Sequence, residues 1–408
     1  MRKAFVFNVG CIRRALDSIR IYNYLGINDW QMTQKISEAD LIVVSTCGAV
    51  QEKEDGSINA INKINKKRSP TSRMLISGCL PKINQARIKE LGNFEYVPIR
   101  ELEKFDQLLG SRIKFKDIKE ANTINENTDI LSYVLAYRLF RNSGSFIHLF
   151  NRFSMNRWFL KTSILVMDIY DLIKSAVQFR SPQKIVPYYN VSIAEGCVGD
   201  CAYCAIKHAT GGLISKPLGE IVADVKSGVR RGHKFIQLVS EDTGCYGIDK
   251  DLTIVDLLKK ILEIEGDYKL IIIDFNPRWV IAYFDELLPV LVKYQDKIRE
   301  LFVPLQSGSN DVLNRMNRYY EIDDVTQRLK KIRENAPKIR LRTTIIVGFP
   351  GETSADFEKS KQVIQDIGFH EVTLNKYEDR PNSKSSDFEH KISQSLIDKR
   401  IREISRYC

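Results

Sequence analysis

The chain has 408 residues and a formal net charge of +11, with 43% hydrophobic and 28% charged residues. This length and balance predict a soluble globular protein of two to three domains, and the charge indicates either a polyanionic partner such as RNA, an anionic membrane surface, or only a basic exterior. No signal-peptide pattern follows Met1 and no long uncharged apolar run occurs, so we expect a cytoplasmic protein without a transmembrane segment.

The first predicted region, residues 1–118, alternates short buried strands with helices. Strands are predicted at 4–9, 40–46 and 74–77, and helices at 17–25 and 52–67. This βαβ alternation predicts an N-terminal α/β domain with an open parallel sheet.

One cysteine stands just past the carboxyl end of each of these strands: Cys11, Cys47 and Cys79. Ligands of open parallel sheets bind at that edge, so we expect the three thiols to converge on one site. The alternative is that they are inert core residues, as lone cysteines often are.

Residues 119–185 interrupt the alternation. A polar stretch at 122–129 precedes a long segment in which aromatic residues such as Phe140 and Trp158 are interleaved with arginines such as Arg138 and Arg157. We predict a helical insertion, which either contacts nucleic acid or a membrane surface, or packs its aromatic residues inward as a small subdomain.

Between residues 186 and 390 the alternation resumes with six predicted strands. They lie at 190–194, 235–240, 268–275, 300–304, 340–347 and 371–375. Parallel strands joined by right-handed helical crossovers predict a (βα)6 partial barrel, whose chemistry is expected at the carboxyl ends of the strands. Residues 391–408 are predicted to form a helical tail.

The most specific motif follows the first barrel strand directly. Cys197, Cys201 and Cys204 form a C-x3-C-x2-C array. Three thiolates in one loop can bind a four-iron cluster and leave one iron without a protein ligand. A structural zinc site is the alternative, and it would need a fourth ligand, for which His208 is the local candidate.

Other polar residues follow the later strand ends. Gln306 and Ser307 are candidates for contact with a cofactor or a substrate, and Glu241 either binds a ribose or amino group or caps a turn. We interpret Cys245 as a loop residue and Cys408 as an incidental terminal thiol.

An iron–sulfur loop after the first strand of a partial barrel, with Tyr203 before the last cysteine, resembles the radical S-adenosylmethionine enzymes. The resemblance implies that Cys197, Cys201 and Cys204 hold a [4Fe-4S] cluster whose open iron binds S-adenosylmethionine, and that Tyr203 lies beside the adenine. One electron from the cluster then cleaves S-adenosylmethionine to a 5′-deoxyadenosyl radical, which abstracts hydrogen.

Further blocks at 240–247, 303–309 and 344–353, with Arg380-Pro381, resemble the methylthiotransferases, above all the archaeal and eukaryotic branch that modifies N6-threonylcarbamoyladenosine in tRNA. The resemblance implies that Cys11, Cys47 and Cys79 hold a second, auxiliary [4Fe-4S] cluster that carries or donates sulfur. The expected reaction places a methylthio group on an unactivated C–H carbon, C2 of that adenosine. The expected partners are tRNA, an electron donor such as flavodoxin or ferredoxin, and a sulfur source; Arg380 is expected to contact the substrate.

Three features depart from that family pattern. Arg14 stands where the family usually has Asn, the usual C-terminal RNA-binding β-barrel is not expected in this chain, and the insertion at 119–185 is longer than the usual linker. A protein or peptide side chain is therefore the alternative substrate.

Overall fold

The computed structural model describes residues 2–123, called the N-terminal unit below, and residues 188–408, called the barrel unit. Each unit is built on a parallel sheet flanked by helices. The strands of the N-terminal unit are Lys3–Asn8 (β1), Gln31–Met32 (β2), Leu41–Thr46 (β3), Arg73–Gly78 (β4) and Glu95–Pro98 (β5). Its helices are Ile12–Ile27 (α1), Gln51–Lys67 (α2), Leu80–Ile83 (α3), Gln85–Lys89 (α4) and Lys104–Leu109 (α5).

The strand order of the N-terminal sheet is β2-β1-β3-β4-β5, and every pair is parallel. The chain therefore reverses its direction of growth between β1 and β3. At such a switch point the loops leaving neighbouring strands part in opposite directions and open a crevice at the carboxyl ends. Strand β3 is buried along its whole length, as a central strand covered on both faces should be.

The barrel unit contains eight strands and nine helices in its described residues. The strands are Tyr189–Ser192 (β6), Ala194–Glu195 (β7), Ile214–Ser215 (β8), Phe235–Val239 (β9), Lys269–Ile272 (β10), Ile298–Phe302 (β11), Arg340–Val347 (β12) and Glu371–Lys376 (β13). The helices are Ile206–Thr210 (α6), Leu218–Arg230 (α7), Ile254–Leu262 (α8), Pro277–Ala282 (α9), Phe284–Lys293 (α10), Asn310–Arg315 (α11), Ile322–Asn335 (α12), Ser354–Ile367 (α13) and Gln394–Ile404 (α14).

Six of these strands form one parallel sheet in the order β13-β12-β11-β10-β9-β6. The main strands follow one another in chain order, with β6 and β13 at the two edges, which is the arrangement of an open (βα)6 barrel. Apolar side chains from strands and helices, such as Leu270, Leu301 and Leu329, fill one continuous core. The predicted fold class, an α/β chain with a parallel N-terminal domain and a partial barrel, is confirmed.

Several boundaries differ from the sequence-based prediction. Helix α1 begins at Ile12 rather than at residue 17, because Cys11 occupies the N-cap without a side-chain capping bond and so gives no recognisable start signal. Strands β2 and β5 were not predicted, since two and four residues are too few to show a period. Apart from residues 119–123, the predicted helical insertion lies outside the described residues.

The two units are joined through a polar contact at the end of the barrel sheet. Arg380 forms a buried ion pair with Glu54 of α2, and its guanidinium also donates to the carbonyl oxygen of Gly48 at 2.8 Å and to Gln51 Oε1 at 2.8 Å. Nearby, the Gln51 backbone N–H donates to Glu378 Oε2 at 2.9 Å. In residues 2–123 and 188–408 no helix is long and apolar enough to cross a membrane.

Candidate functional site

Cys11, Cys47 and Cys79, called the N-terminal triad below, follow the carboxyl ends of the three neighbouring strands β1, β3 and β4. Backbone hydrogen bonds fix these strand ends to one another: Val9 N donates to Ser45 O at 2.9 Å, and Cys79 N donates to Thr46 O at 3.1 Å. Because β1 and β3 flank the switch point of the sheet, all three thiols lie at the mouth of its crevice.

Gly78, the last residue of β4, is required for this convergence. Its φ is +98°, and a Cβ atom there would lie 2.2 Å from the carbonyl oxygen of Thr46. Any other residue would push the ends of β3 and β4 apart. Glycine therefore keeps Cys79 close to Cys47.

The three thiols of the N-terminal triad have different electrostatic environments. Cys47 and Cys79 are buried, and burial together with the neighbouring thiolates raises the pKa of Cys47 and raises that of Cys79 to about 12. Cys11 lies on the accessible side of the cleft. Desolvation of its sulfur opposes ionisation, but the charges of Arg13 and Arg14 and the backbone N–H groups at the start of α1 outweigh this effect and lower the pKa of Cys11. Cys11 is thus the thiol most ready to act as a thiolate.

Cys197, Cys201 and Cys204, called the loop triad below, lie in the loop that leaves the barrel after β7. The loop folds back on its own sulfur atoms: Gly199 N donates to Cys197 Sγ at 3.0 Å, and Cys204 N donates to Cys201 O at 3.0 Å. Burial and the other two thiolates raise the pKa of Cys204 to about 11. The three sulfur atoms thus lie close enough to influence one another.

Two residues that sequence reasoning assigned no role lie beside the loop triad. Arg318 is buried, and its Nη1 donates to Tyr203 Oη at 3.1 Å and lies 3.8 Å from Cys201 Sγ. Cys245 is fully buried; its sulfur lies 3.1 Å from the carbonyl oxygen of Asp242 and beside Cys197, and a hydrogen bond from its thiol to Cys197 lowers the pKa of Cys197. A fourth cysteine past a barrel strand was the available signal for Cys245, whereas no local pattern marks Arg318.

Asp242 is a buried acidic residue next to the loop triad. Its Oδ2 accepts a hydrogen bond from Trp279 Nε1 at 2.8 Å and lies 4.0 Å from Cys197 Sγ, while its Oδ1 accepts from Gly244 N at 3.1 Å. Burial raises the pKa of this carboxyl. The Asp242 side chain thus caps the turn after β9 and also lies beside Cys197.

Three predicted cofactor residues, Glu241, Gln306 and Ser307, follow the carboxyl ends of the barrel strands β9 and β11. Glu241 accepts a hydrogen bond from Gly196 N at 2.8 Å and forms an ion pair with Arg13 of the N-terminal unit, also at 2.8 Å.

Gln306 has a φ of +70°, and its side-chain oxygen is buried without a hydrogen-bond partner. Ser307 is fully buried, and its hydroxyl accepts from Ser309 N at 3.2 Å. A non-glycine residue in this conformation with an unpaired buried oxygen is a common mark of a ligand site.

Cys79 of the N-terminal triad and the residue that follows the loop triad meet at the interface between the units. Cys79 belongs to a buried apolar cluster with Ile83 and Ile99 of its own unit and with Ala205 and Ala209 of the barrel unit. Ala205 is the residue after Cys204. Helices α3 and α6, which follow the two triads, therefore pack against each other directly.

Arg380 lies at the same interface, past the carboxyl end of β13, and contacts Gly48, the residue after Cys47. It is 3% exposed and engaged with Glu54, Gly48 and Gln51. The guanidinium is thus held by the protein itself, and its predicted contact with substrate stays a prediction.

The fit of a single metal ion differs from the fit of a cluster. Among the described residues no three His, Cys, Asp or Glu side chains are arranged to hold one metal ion. His208, the fourth ligand that a zinc site would need, has its Nε2 2.8 Å from the carbonyl oxygen of Asn382. A four-iron cluster sets its thiolate ligands further apart than one ion does, so the requirements for a single ion do not apply to a cluster site.

Comparison with known proteins agrees with this geometry. Residues 191–364 match the Radical SAM superfamily, and residues 3–97 match a family described as Uncharacterized protein family UPF0004. Among solved structures, the radical S-adenosylmethionine methyltransferase TsrM from Kitasatospora setae has the same fold, with a TM-score of 0.59 and 11% identity over 94% of this chain and 77% of that one. The fold and the loop triad thus define a radical S-adenosylmethionine enzyme, a class that binds a [4Fe-4S] cluster and S-adenosylmethionine.

The curated relatives narrow the class. A probable threonylcarbamoyladenosine tRNA methylthiotransferase from Pyrococcus abyssi is 30% identical over 94% of this chain and 78% of its own length. The human threonylcarbamoyladenosine tRNA methylthiotransferase is 24% identical over 100% of this chain and 62% of its own length. A ribosomal protein uS12 methylthiotransferase RimO from Natranaerobius thermophilus is 26% identical over 98% of this chain and 81% of its own length. The chain therefore belongs to the methylthiotransferase family of radical S-adenosylmethionine enzymes, which are sulfur-transferring transferases.

Proposed function

We propose that this chain holds two [4Fe-4S] clusters, one at each cysteine triad, and places a methylthio group on C2 of N6-threonylcarbamoyladenosine in tRNA. The observation that carries the proposal is the shared apolar cluster of Cys79 and Ala205, because it brings the second triad to the interface where the first one lies. Sulfur transfer to a carbon radical needs both centres within contact distance of one target atom. In this assignment residues 1–118 carry the auxiliary cluster, 119–185 the insertion, 186–390 the radical domain and 391–408 the tail.

The donor sets suit iron–sulfur clusters. Each triad offers three thiols and leaves one cluster iron open, which is the ligand count needed to bind a further molecule at the iron. When bound, the loop-triad cluster supplies the electron that cleaves S-adenosylmethionine, and the auxiliary cluster supplies the sulfur. Arg318 and the Gly199 N–H group offset the negative charge of the loop-triad thiolates, and the start of α1 does the same for Cys11.

The residues around the barrel mouth would hold S-adenosylmethionine. We assign the buried, unpaired side-chain oxygen of Gln306 to hydrogen bonding with the bound cofactor, together with Ser307. Glu241 would bind its amino or ribose group and would exchange its ion pair with Arg13 for that contact. Tyr203, oriented by Arg318, would lie beside the adenine. Arg380 would act as a positioning residue that holds the two units together.

Two observations support tRNA as the substrate. Relatives from Pyrococcus abyssi and human that cover this chain almost completely are named for threonylcarbamoyladenosine in tRNA. The net charge of +11 suits a polyanion, whose binding releases counterions and therefore weakens with added salt.

A protein side chain is the second candidate substrate. The relative from Natranaerobius thermophilus, named for ribosomal protein uS12, is 26% identical over 98% of this chain, close to the identity of the tRNA-named relatives. Binding of tRNA should weaken as salt is added, whereas binding of a peptide should change little, because a peptide contact releases few counterions.

The first experiment is anaerobic reconstitution followed by measurement of iron and sulfide. We expect about eight irons per chain for the wild type and about four after Cys11, Cys47 and Cys79 are all changed to alanine. Four irons in both proteins would overturn the two-cluster proposal.

The second experiment compares substrates. The reconstituted enzyme is given S-adenosylmethionine, as the source of both the radical and the methyl group, and dithionite as the electron source. The substrate is either tRNA that carries threonylcarbamoyladenosine or a peptide of uS12. Methylthiolated nucleoside in digested tRNA, measured by mass spectrometry and suppressed by added salt, is the expected result. Modification of the peptide alone would replace the tRNA assignment with the second candidate.

A further inference from the structure

A cleft runs between the N-terminal unit and the barrel unit. It consists of an open outer cavity of about 700 Å³ and a narrow inner cavity of about 60 Å³. The two cavities share the lining residues Arg20, Ile99, Leu102 and Glu195. The inner cavity extends to the ion pair of Arg13 with Glu241. The cleft therefore leads from its open side toward the residues beside Cys11.

One face of helix α1 forms a wall of the inner cavity. Arg13, Asp17 and Arg20 all line this cavity, and their spacing of four and three residues places them on the same face of the helix. Arg13 and Arg20 are two turns apart, about 10 Å along the helix axis. Arg13 is close to Cys11 in the chain, whereas Arg20 lies where the inner cavity meets the outer one.

Arg20 carries a positive charge that forms no ion pair with any acidic side chain in the described part of the chain. Its Nε donates to Ile118 O at 2.8 Å, and its Nη2 donates to Phe115 O at 3.2 Å. The guanidinium carbon also lies 4.7 Å from the centre of the Phe115 ring. These contacts fix the plane of the guanidinium, while Nη1 bonds to none of residues 2–123 or 188–408. A guanidinium held in this way is suited to bind a carboxylate or a phosphate.

The acidic residues of the inner cavity do not balance this charge. Each of the four lies near another basic residue: Asp17 near Arg14 at 2.9 Å, Glu120 near Lys216 at 2.8 Å, Glu195 near Arg100 at 3.8 Å, and Glu241 near Arg13 at 2.8 Å. Arg20 is therefore the arginine of this cavity that can take its counter-charge from a ligand.

We propose that Arg20 binds the free carboxylate of the threonylcarbamoyl group and so selects the modified nucleoside. This role rests on the proposed function, because the carboxylate belongs to the substrate named there. Seven covalent bonds separate the carboxylate carbon from C2 of the base, about 8 Å when extended. The two turns between Arg13 and Arg20 therefore suit a nucleoside whose C2 lies toward the triads while its carboxylate reaches Arg20. Release of Arg13 by Glu241 on cofactor binding would widen the inner cavity for the base.

The test measures binding of RNA rather than turnover. The full chain, reconstituted anaerobically and supplied with S-adenosylmethionine but no reductant, is titrated with two fluorescent anticodon stem-loops. One carries threonylcarbamoyladenosine and the other carries its methyl ester, which lacks only the negative charge. We expect the wild type to bind the acid about tenfold more tightly than the ester, because a hydrogen-bonded charge pair is lost. Equal affinity of the wild type for both would overturn the proposal.

The variant Arg20→Gln should bind acid and ester with the same affinity, close to that of the wild type for the ester. Arg20→Lys keeps the charge without the planar fork, so it should retain part of the preference. Because Arg20 also holds the Phe115 carbonyl, a loss of ester binding in Arg20→Gln would indicate local unfolding. The comparison of acid with ester in the wild type then decides by itself.

Lys116→Gln is the matched control, since Lys116 lines the outer cavity but not the inner one. Loss of a lysine that attracts only the RNA backbone should weaken binding of acid and ester equally. The same equal weakening in Arg20→Gln would assign Arg20 to the phosphates and overturn the proposal.

Product formation separates the role of Arg20 from the proposed function. Methylthiolation of tRNA by a wild type that binds acid and ester equally would refute the role of Arg20 and leave the function standing. Modification of the uS12 peptide alone would refute both together.

Discussion

The two cysteine triads are assembled in opposite ways. The loop triad comes from eight consecutive residues, whereas the N-terminal triad gathers residues 11, 47 and 79 from three strand ends. The loop triad needs only a turn that folds back on its sulfur atoms, while the N-terminal triad exists only if three strands pair in register. The loop triad can therefore be recognised from the sequence alone, whereas the N-terminal triad depends on the folded sheet.

Their electrostatic surroundings differ as well. The loop triad has the buried carboxylate of Asp242 4.0 Å from Cys197 and the thiol of Cys245 beside it. The N-terminal triad has Arg13 and Arg14, which lower the pKa of Cys11. Negative charge near a cluster favours its oxidised form, and positive charge favours reduced or anion-bound forms. In the proposed function the loop triad donates the electron and the N-terminal triad binds sulfur, and the positive charge beside Cys11 suits the second task.

The largest expected effect separates these tasks directly. Cys201→Ala should reduce both 5′-deoxyadenosine and methylthiolated product to background, because it removes a ligand of the loop-triad cluster. Cys79→Ala should abolish only the product, while 5′-deoxyadenosine continues to form. Both compounds are measured by liquid chromatography and mass spectrometry, with Cys408→Ala, at an exposed terminal thiol, as the control. Full product formation by Cys79→Ala would erase the distinction between the triads.

The proposed cooperation of the two triads also depends on the interface at which the two units meet. Arg380→Met leaves the buried carboxylate of Glu54 without its main partner, although Arg87 and Asn84 still contact it at 2.9 Å. Loss of one member of a buried ion pair should cost about 3 kcal/mol in the free energy of unfolding, measured by urea denaturation.

Arg73→Met breaks the exposed pair with Glu95 and should change stability far less. Equal effects of Arg380→Met and Arg73→Met would show that the Arg380 contact does not hold the units together.

A smaller and more local effect is expected at Gly78. Gly78→Ala places a methyl group against Thr46 O at a φ of +98°, so it should destabilise the protein by about 1–3 kcal/mol. It should also lower iron at the N-terminal triad while the loop triad keeps its four irons. Gly219→Ala is the control, because a Cβ atom at that position in α7 meets nothing within 4 Å. Iron loss from the loop triad would contradict the local explanation.

The smallest effect concerns Cys245. Its hydrogen bond stabilises negative charge on Cys197, so Cys245→Ala should lower the reduction potential of the loop-triad cluster, on the order of tens of millivolts. Redox titration followed by electron paramagnetic resonance can resolve the two clusters. The potential at the N-terminal triad should not move, and a shift there would mean that Cys245 acts through the fold rather than through Cys197.

The sequence by itself determined the class of protein and predicted a cluster site at the loop triad. Cys197, Cys201 and Cys204 lie within one loop, so their spacing alone limits the groups that they can bind. The βα alternation predicted both parallel sheets, because the hydrophobic period and the crossover rule are local and general. The start of α1 could not be predicted in the same way, since Cys11 carries no capping signal.

Only the tertiary structure decided which distant residues meet. The close approach of Gly78 to Thr46, the burial of Arg14 beside Cys79, and the contact of Cys245 with Cys197 all join residues whose separation along the chain gives no period or motif. The pairing of Arg380 with Glu54 is of the same kind, because its partner lies 326 residues away. Such contacts follow from the packing of whole units. Charge balance and cleft geometry therefore cannot be predicted from the sequence in the way that the cysteine loop can.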